Sequence, residues 1–147
     1  MSLLQSALLP ALENRLPKVI SPRTHGFIDY AHAAFFFGVA LACRKSNKPA
    51  ALAALGTATL VVVQSLLTDY PLGVWPVLSL ETHGKMDAAF ASASWAIPKA
   101  LGFSDTPAAN IFRANTLVEG TVVGLTAFKG ELTPDQTDTQ QAETQQA

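Results

Sequence analysis

One stretch of this chain recurs 58 positions further on, without a gap. Thr24-His25-Gly26 with Asp29 returns as Thr82-His83-Gly84 with Asp87, and the same offset pairs Ser21 with Ser79, Ser46 with Ser104 and Pro49 with Pro107. It also pairs Ala50-Ala51 with Ala108-Ala109 and Leu67-Thr68 with Leu125-Thr126. Self-similarity at a fixed period marks one structural unit used more than once. Here the unit holds two hydrophobic segments, so the chain is expected to be all-α, with four principal helices from a tandem repeat.

The segments are set off by punctuation. Pro17 and Ser21-Pro22 break the chain, and Ser21 suits an N-cap with Pro22 at the first helical position. Phe27 to Cys43 is apolar except for Asp29, Tyr30 and His32. Counted from Pro22 it is about 22 residues long, enough to cross a hydrocarbon core of about 30 Å. Arg44 to Pro49 forms a basic turn, and Ala50 to Leu67 is the second segment. Thr68-Asp69-Tyr70-Pro71-Leu72-Gly73 closes the first unit with turn chemistry. The third segment, Thr82 to Leu101, is diluted by Asp87 and Pro98; the fourth, about Pro107 to Phe128, carries Arg113, Asn115 and Glu119.

These boundaries divide the chain four ways. Residues 1–20 place Leu3, Leu4, Ala7, Leu8, Ala11 and Leu12 at helical spacing, which fits an N-terminal amphipathic, interfacial helix. Residues 21–73 and 74–131 are the two repeats. Residues 132–147 are too polar to bury anything and are expected to be disordered.

Composition decides the solvent. Charged residues make up 14% of the chain, against roughly 25% in soluble domains. A soluble bundle backs its apolar stripes with charged faces, yet Ala33–Cys43 and Ala50–Val63 contain no charge. The expected architecture is therefore a four-helix transmembrane bundle with the lipid bilayer as its first partner. Self-association or other membrane proteins would be further partners. Two spans per unit bring both copies in from the same side, a parallel repeat about an axis along the membrane normal. The basic residues divide five against five between the two faces, so charge bias gives no orientation. A net charge of −1 argues against nucleic acid, and a single cysteine, Cys43, excludes an internal disulfide.

Several motifs resemble small bacterial membrane proteins of the SPW-repeat type. Thr24-His25-Gly26-Phe27-Ile28-Asp29-Tyr30 is similar to the entry of their first helix. Thr68-Asp69-Tyr70-Pro71-Leu72-Gly73 followed by Thr82-His83 resembles the junction between their repeats, and Ala93-Ser94-Trp95 a degraded Ser-Pro-Trp signature lacking the proline. The resemblance covers about residues 21–128. It implies a four-span protein of a bacterial inner membrane and carries over no activity, substrate or catalytic residue.

The chemistry rests on two His/Asp pairs. Residues four apart share a helix face, so His25 can meet Asp29 and His83 can meet Asp87. Ionisable groups inside a span are costly and point to function. One reading is a structural clamp, with Gly26 and Gly84 letting helices approach closely. A second is a ligand site, in which His25 and His83 hold a metal or clamp a haem. A third is a proton or small-solute pathway through Asp29, Asp87 and Glu119. Asp69 and Tyr70, at the end of the second segment, fall on the same face as the histidines; His32 lies further along the first helix. No hydrolase motif, phosphate-binding loop or nucleotide fingerprint is present, so a non-catalytic membrane scaffold without a resident cofactor is the expectation.

Overall fold

Ser21 and Ser79 open the two units in the same way. Each side chain accepts a hydrogen bond from the backbone N–H three residues on, at Thr24 and Thr82, and each hydroxyl meets that threonine's own Oγ1. A computed structural model describes residues 16–129 and gives the helices α1 (Pro22–Cys43), α2 (Lys48–Leu67), α3 (Leu80–Ser94), α4 (Ile97–Ala100) and α5 (Pro107–Leu125). No strand occurs among the described residues. The expected amphipathic helix and polar tail fall almost wholly outside them.

The third segment is not one helix. Pro98 has no N–H for the Ser94 carbonyl, and its ring would clash with that carbonyl four residues back. α3 accordingly stops at Ser94, and the chain restarts as the single turn α4. Gly102, at φ 75, then reverses the direction of the chain, a conformation glycine adopts without a Cβ penalty.

α1 packs along α2, and α5 along α3. At one end Phe36, Val39, Ala50, Ala54, Phe103 and Phe112 form a dry core, with the Phe36 and Phe112 rings 5.3 Å apart. The helices meet largely through small side chains: Ala33, Ala58, Ala91 and Ala109 are buried, while Phe27, Leu41, Leu52 and Leu117 face outward. α1 and α2 are each long and apolar enough to cross a membrane.

At the opposite end two short joints close the arrangement. The N–H groups of Val19 and Ile20 donate to Leu125 O, and Ala127 N–H returns to Ile20 O. Val77 and Leu78 likewise donate to Leu67 O, and Asp69 N–H returns to Leu78 O. The two isolated bridges, Ile20 with Thr126 and Leu78 with Thr68, are both parallel, and their residues differ by the offset of the sequence repeat. These joints bring the starts of α1 and α3 against the ends of α2 and α5.

Candidate functional site

His25 and His83 lie one turn into α1 and α3, where the joints have just fixed the helix starts. Both are 1% exposed. Their Nε2 atoms face each other at 3.2 Å, across the centre of the molecule. Asp29 and Asp87, one turn further on, aim into the same gap. His25 Nε2 stands 3.4 Å from Asp29 Oδ1 and 3.2 Å from Asp87 Oδ2; His83 Nε2 stands 3.4 Å from Asp29 Oδ2 and 3.0 Å from Asp87 Oδ2. Each imidazole thus meets both carboxylates, not only the one on its own helix.

The far side of each ring is held by a threonine. His25 Nδ1 lies 2.9 Å from Thr126 Oγ1, and His83 Nδ1 lies 2.7 Å from Thr68 Oγ1. Both hydroxyls donate their single hydrogen to a carbonyl four residues back, Thr126 to Val122 O and Thr68 to Gln64 O, each at 2.7 Å. Those carbonyls need the hydroxyl, because the helix ends there: the Thr68 and Thr126 N–H groups bond Ser65 O and Val123 O instead. With the hydroxyl hydrogens spent, both threonine oxygens are acceptors, so each imidazole carries its proton on Nδ1. As neutral rings, the two histidines would present two Nε2 lone pairs to one point between the carboxylates.

The carboxylates are also held. Gln64 Nε2 donates to Asp87 Oδ1 at 2.6 Å, and Tyr70 OH and Ser65 Oγ donate to Asp29 Oδ2 at 3.1 and 3.3 Å. Burial, followed by the nearby Asp29 charge, pushes the Tyr70 phenol well above its ordinary range, keeping it a donor. The glycines serve the same shell. A Cβ on Gly26 would stand 2.7 Å from the Tyr70 ring, and one on Gly84 2.8 Å from the Phe128 ring. What approaches these glycines is an aromatic ring, not the neighbouring backbone that the clamp reading expects. Phe128 packs edge-on to His25 at 5.2 Å.

Of the residues singled out from sequence, His25, Asp29, His83, Asp87 and Tyr70 come together. Asp69 does not. Its side chain is exposed, because the backbone N–H needed for the Leu78 joint turns this residue outward. Glu119 lies apart from the four, bonded by Asn115 Nδ2 at 2.8 Å and 4.0 Å from His32 Nε2. It lines, with His25, Asp29, His32 and Asp87, a cavity of about 670 Å³ between α1 and α5. Arg113 turns away to Asn110 and Ser104, so it and Glu119 have separate partners. Sequence reasoning missed Thr68, Thr126 and Gln64. The recurring Leu-Thr pair and the lone amide within α2 were the signals available.

Comparison with protein-family models, curated proteins and solved structures finds no match to the chain.

Proposed function

We propose that this chain is a small non-catalytic membrane scaffold, built by duplication, whose two halves are stapled by one divalent metal ion on His25, Asp29, His83 and Asp87. The observation that carries this is the spacing of the four groups. One ligand atom from each lies within 4.8 Å of the others; the five His–His and His–Asp separations run from 3.0 to 3.4 Å, with Asp29 meeting His25 through Oδ1 and His83 through Oδ2. A tetrahedron with metal–ligand bonds of about 2.0–2.1 Å has edges of about 3.3 Å.

Charge supports the same reading. Two neutral imidazoles and two carboxylates around a divalent cation sum to zero, which suits a site away from water. The Thr68 and Thr126 contacts are the outer hydrogen bonds that metal-bound histidines characteristically make. Imidazole with carboxylate in tetrahedral array favours zinc among the common ions. Four protein ligands leave no open position, the coordination of a structural rather than a catalytic zinc. A haem fits less well: its two axial nitrogens would stand on the order of 4 Å apart, twice a metal–nitrogen bond, with a flat gap between them. Here they are 3.2 Å apart, and the carboxylates crowd the gap.

The membrane part of the reading rests on α1 and α2, on the small-inside, large-outside packing, and on the resemblance to SPW-repeat proteins of bacterial inner membranes. α3 with α4 would make the third crossing and α5 the fourth, in a parallel repeat. The outward apolar faces are then available to lipid or to other membrane proteins.

The test is metal analysis and an absorption spectrum of detergent-purified protein kept free of added metal and chelator. About one zinc-class ion per chain is expected, absent from His25→Ala and Asp87→Ala. A folded, metal-free parent whose stability is unchanged by added zinc overturns the staple. A Soret band would replace it with haem.

A further inference from the structure

The cavity between α1 and α5 is not needed to hold a metal. Bridging at Ile20–Thr126 and ring contact at Phe36–Phe112 set α5 antiparallel to α1. The cavity runs between them from His25 and Val122 at one end to Phe35 and Ile111 at the other. Ten residues of helix give it a length of about 15 Å, and its volume of about 670 Å³ lies within the ~300–1,000 Å³ of small-molecule sites. Its walls are mostly aliphatic and aromatic, with a polar group of His32, Asn115 and Glu119 midway.

That polar group belongs to one copy only. At the equivalent positions of the other copy stand Phe90 for His32, Thr57 for Asn115 and Val61 for Glu119. The fold therefore does without it in one half. In the half that has it, His32 Nε2 is buried with no hydrogen-bond partner among the described residues. Glu119 Oε2, at 4.0 Å, is too far to serve. Asn115 is already engaged, donating to Ser94 Oγ and to Glu119.

We propose that this cavity binds a neutral molecule with an apolar body and a hydroxyl group, the hydroxyl bridging His32 Nε2 and Glu119 Oε2. An oxygen about 2.8 Å from each atom fits their 4.0 Å separation. A hydroxyl both donates and accepts, so it completes the pair whether the imidazole or the carboxyl supplies the other hydrogen. Charge narrows the head group further. Asp29, Asp87 and Glu119 line the cavity and, among the described residues, no lysine or arginine does, so a phosphate or carboxylate head finds no counter-charge there. The inference goes beyond the metal staple and requires no bound ion.

The test is photolabelling of the detergent-purified protein with an alkyl-diazirine long-chain alcohol. Competitors are the unlabelled alcohol and the fatty acid and amine of equal length. Labels are expected on α1 and α5 peptides around Phe35, Ile111 and Val118, competed by the alcohol at least tenfold better than by the acid. His32→Phe and Glu119→Val each install the residue that the other copy carries, and each should cut labelling at least tenfold. Val118→Trp, which fills the cavity from its outer edge, should do the same without touching the polar pair. Labels spread over outward residues such as Leu41 and Leu52 overturn the proposal. So does equal or better competition by acid or amine, or labelling unmoved in all three variants. Metal content of the same samples keeps the two readings apart: a metal-free parent that still takes the label removes the staple and leaves this site standing.

Discussion

The threonines that hold the imidazoles give the sharpest check on the proposed metal centre. Thr126→Val keeps shape and removes one hydroxyl, and with it two contacts: the acceptor of His25 Nδ1–H and the donor to Val122 O. Thr126 is 0% exposed, and its own N–H is committed to Val123 O, so neither stranded group has a local replacement. An unsatisfied buried polar group costs about 1–3 kcal/mol; two of them, with some relaxation, give about 2–4 kcal/mol of stability. Loss of an outer hydrogen bond on a metal-bound histidine typically costs about 10–100-fold in metal affinity. Thr68→Val should match it, since Thr68 holds His83 in the same way. Thr→Ser at either position keeps both bonds and should restore affinity to within a few-fold. The assay is zinc competition against a chromophoric chelator in detergent, with chemical unfolding followed in parallel. Valine variants that bind zinc as tightly as the parent would refute the role of the threonines in orienting the centre.

Further outcomes follow from the same geometry. Gly84→Ala forces a Cβ against the Phe128 ring and should cost about 1–3 kcal/mol as an overpacked site; adding Phe128→Leu should recover most of it in an unfolding titration. Tyr70 has a raised folded-state value, so its bond to Asp29 contributes fully below about pH 10, the ordinary tyrosine value, and is lost as pH rises through the folded value. In a Tyr30→Phe background, phenolate absorbance should stay absent well past that pH and appear only with unfolding. In a Cys43→Ser background, Leu52→Cys should resist a water-soluble maleimide in sealed vesicles. Lys45→Cys, in the turn after α1, and Glu81→Cys, in the first turn of α3, both exposed, should react from opposite sides; rapid labelling of Leu52→Cys would argue for a soluble bundle.

Local rules were enough for the helix starts. Ser21-Pro22 announced its cap, and the break between apolar runs placed α2 and α5 to within a few residues; Ser79 was legible only as the repeat partner of Ser21, and α3 starts at Leu80 where Thr82 was expected. Pro98 was visible but was read as diluting a helix, where its missing N–H in fact ends one. The site divided along the same line. His25–Asp29 and His83–Asp87 follow from spacing within one helix, so they could be read directly. The cross-pairs His25–Asp87 and His83–Asp29 depend on how two helices are brought together, which no spacing within a helix encodes. Thr68 and Thr126 were hidden differently: a threonine at a helix end looks like a terminator until the joint places a ring beside it. Asp69 shows the converse, a charged residue in a motif that a backbone bond rotates away from its neighbours.

The paired joints carry a consequence for how such a chain could be rewired. The segment entering α1 sits against the end of α5 as the segment entering α3 sits against the end of α2. Residues 70–77 already span one of these seams, so a duplicate of that linker, running from Phe128 to Val19, would span the other. Opened instead within residues 74–77, the sequence would begin just before α3 and finish after Gly73, which keeps Thr68 and Tyr70 on the centre. A circular permutant of this kind should fold, and two separate helical pairs should find each other as a dimer, with the histidines of each pair completing the other's site. A pair of identical hairpins would be bound to perfect two-fold sameness. Joined in one polypeptide, the two halves can differ: one carries Phe90, Thr57 and Val61 where the other lines a chamber with His32, Asn115 and Glu119.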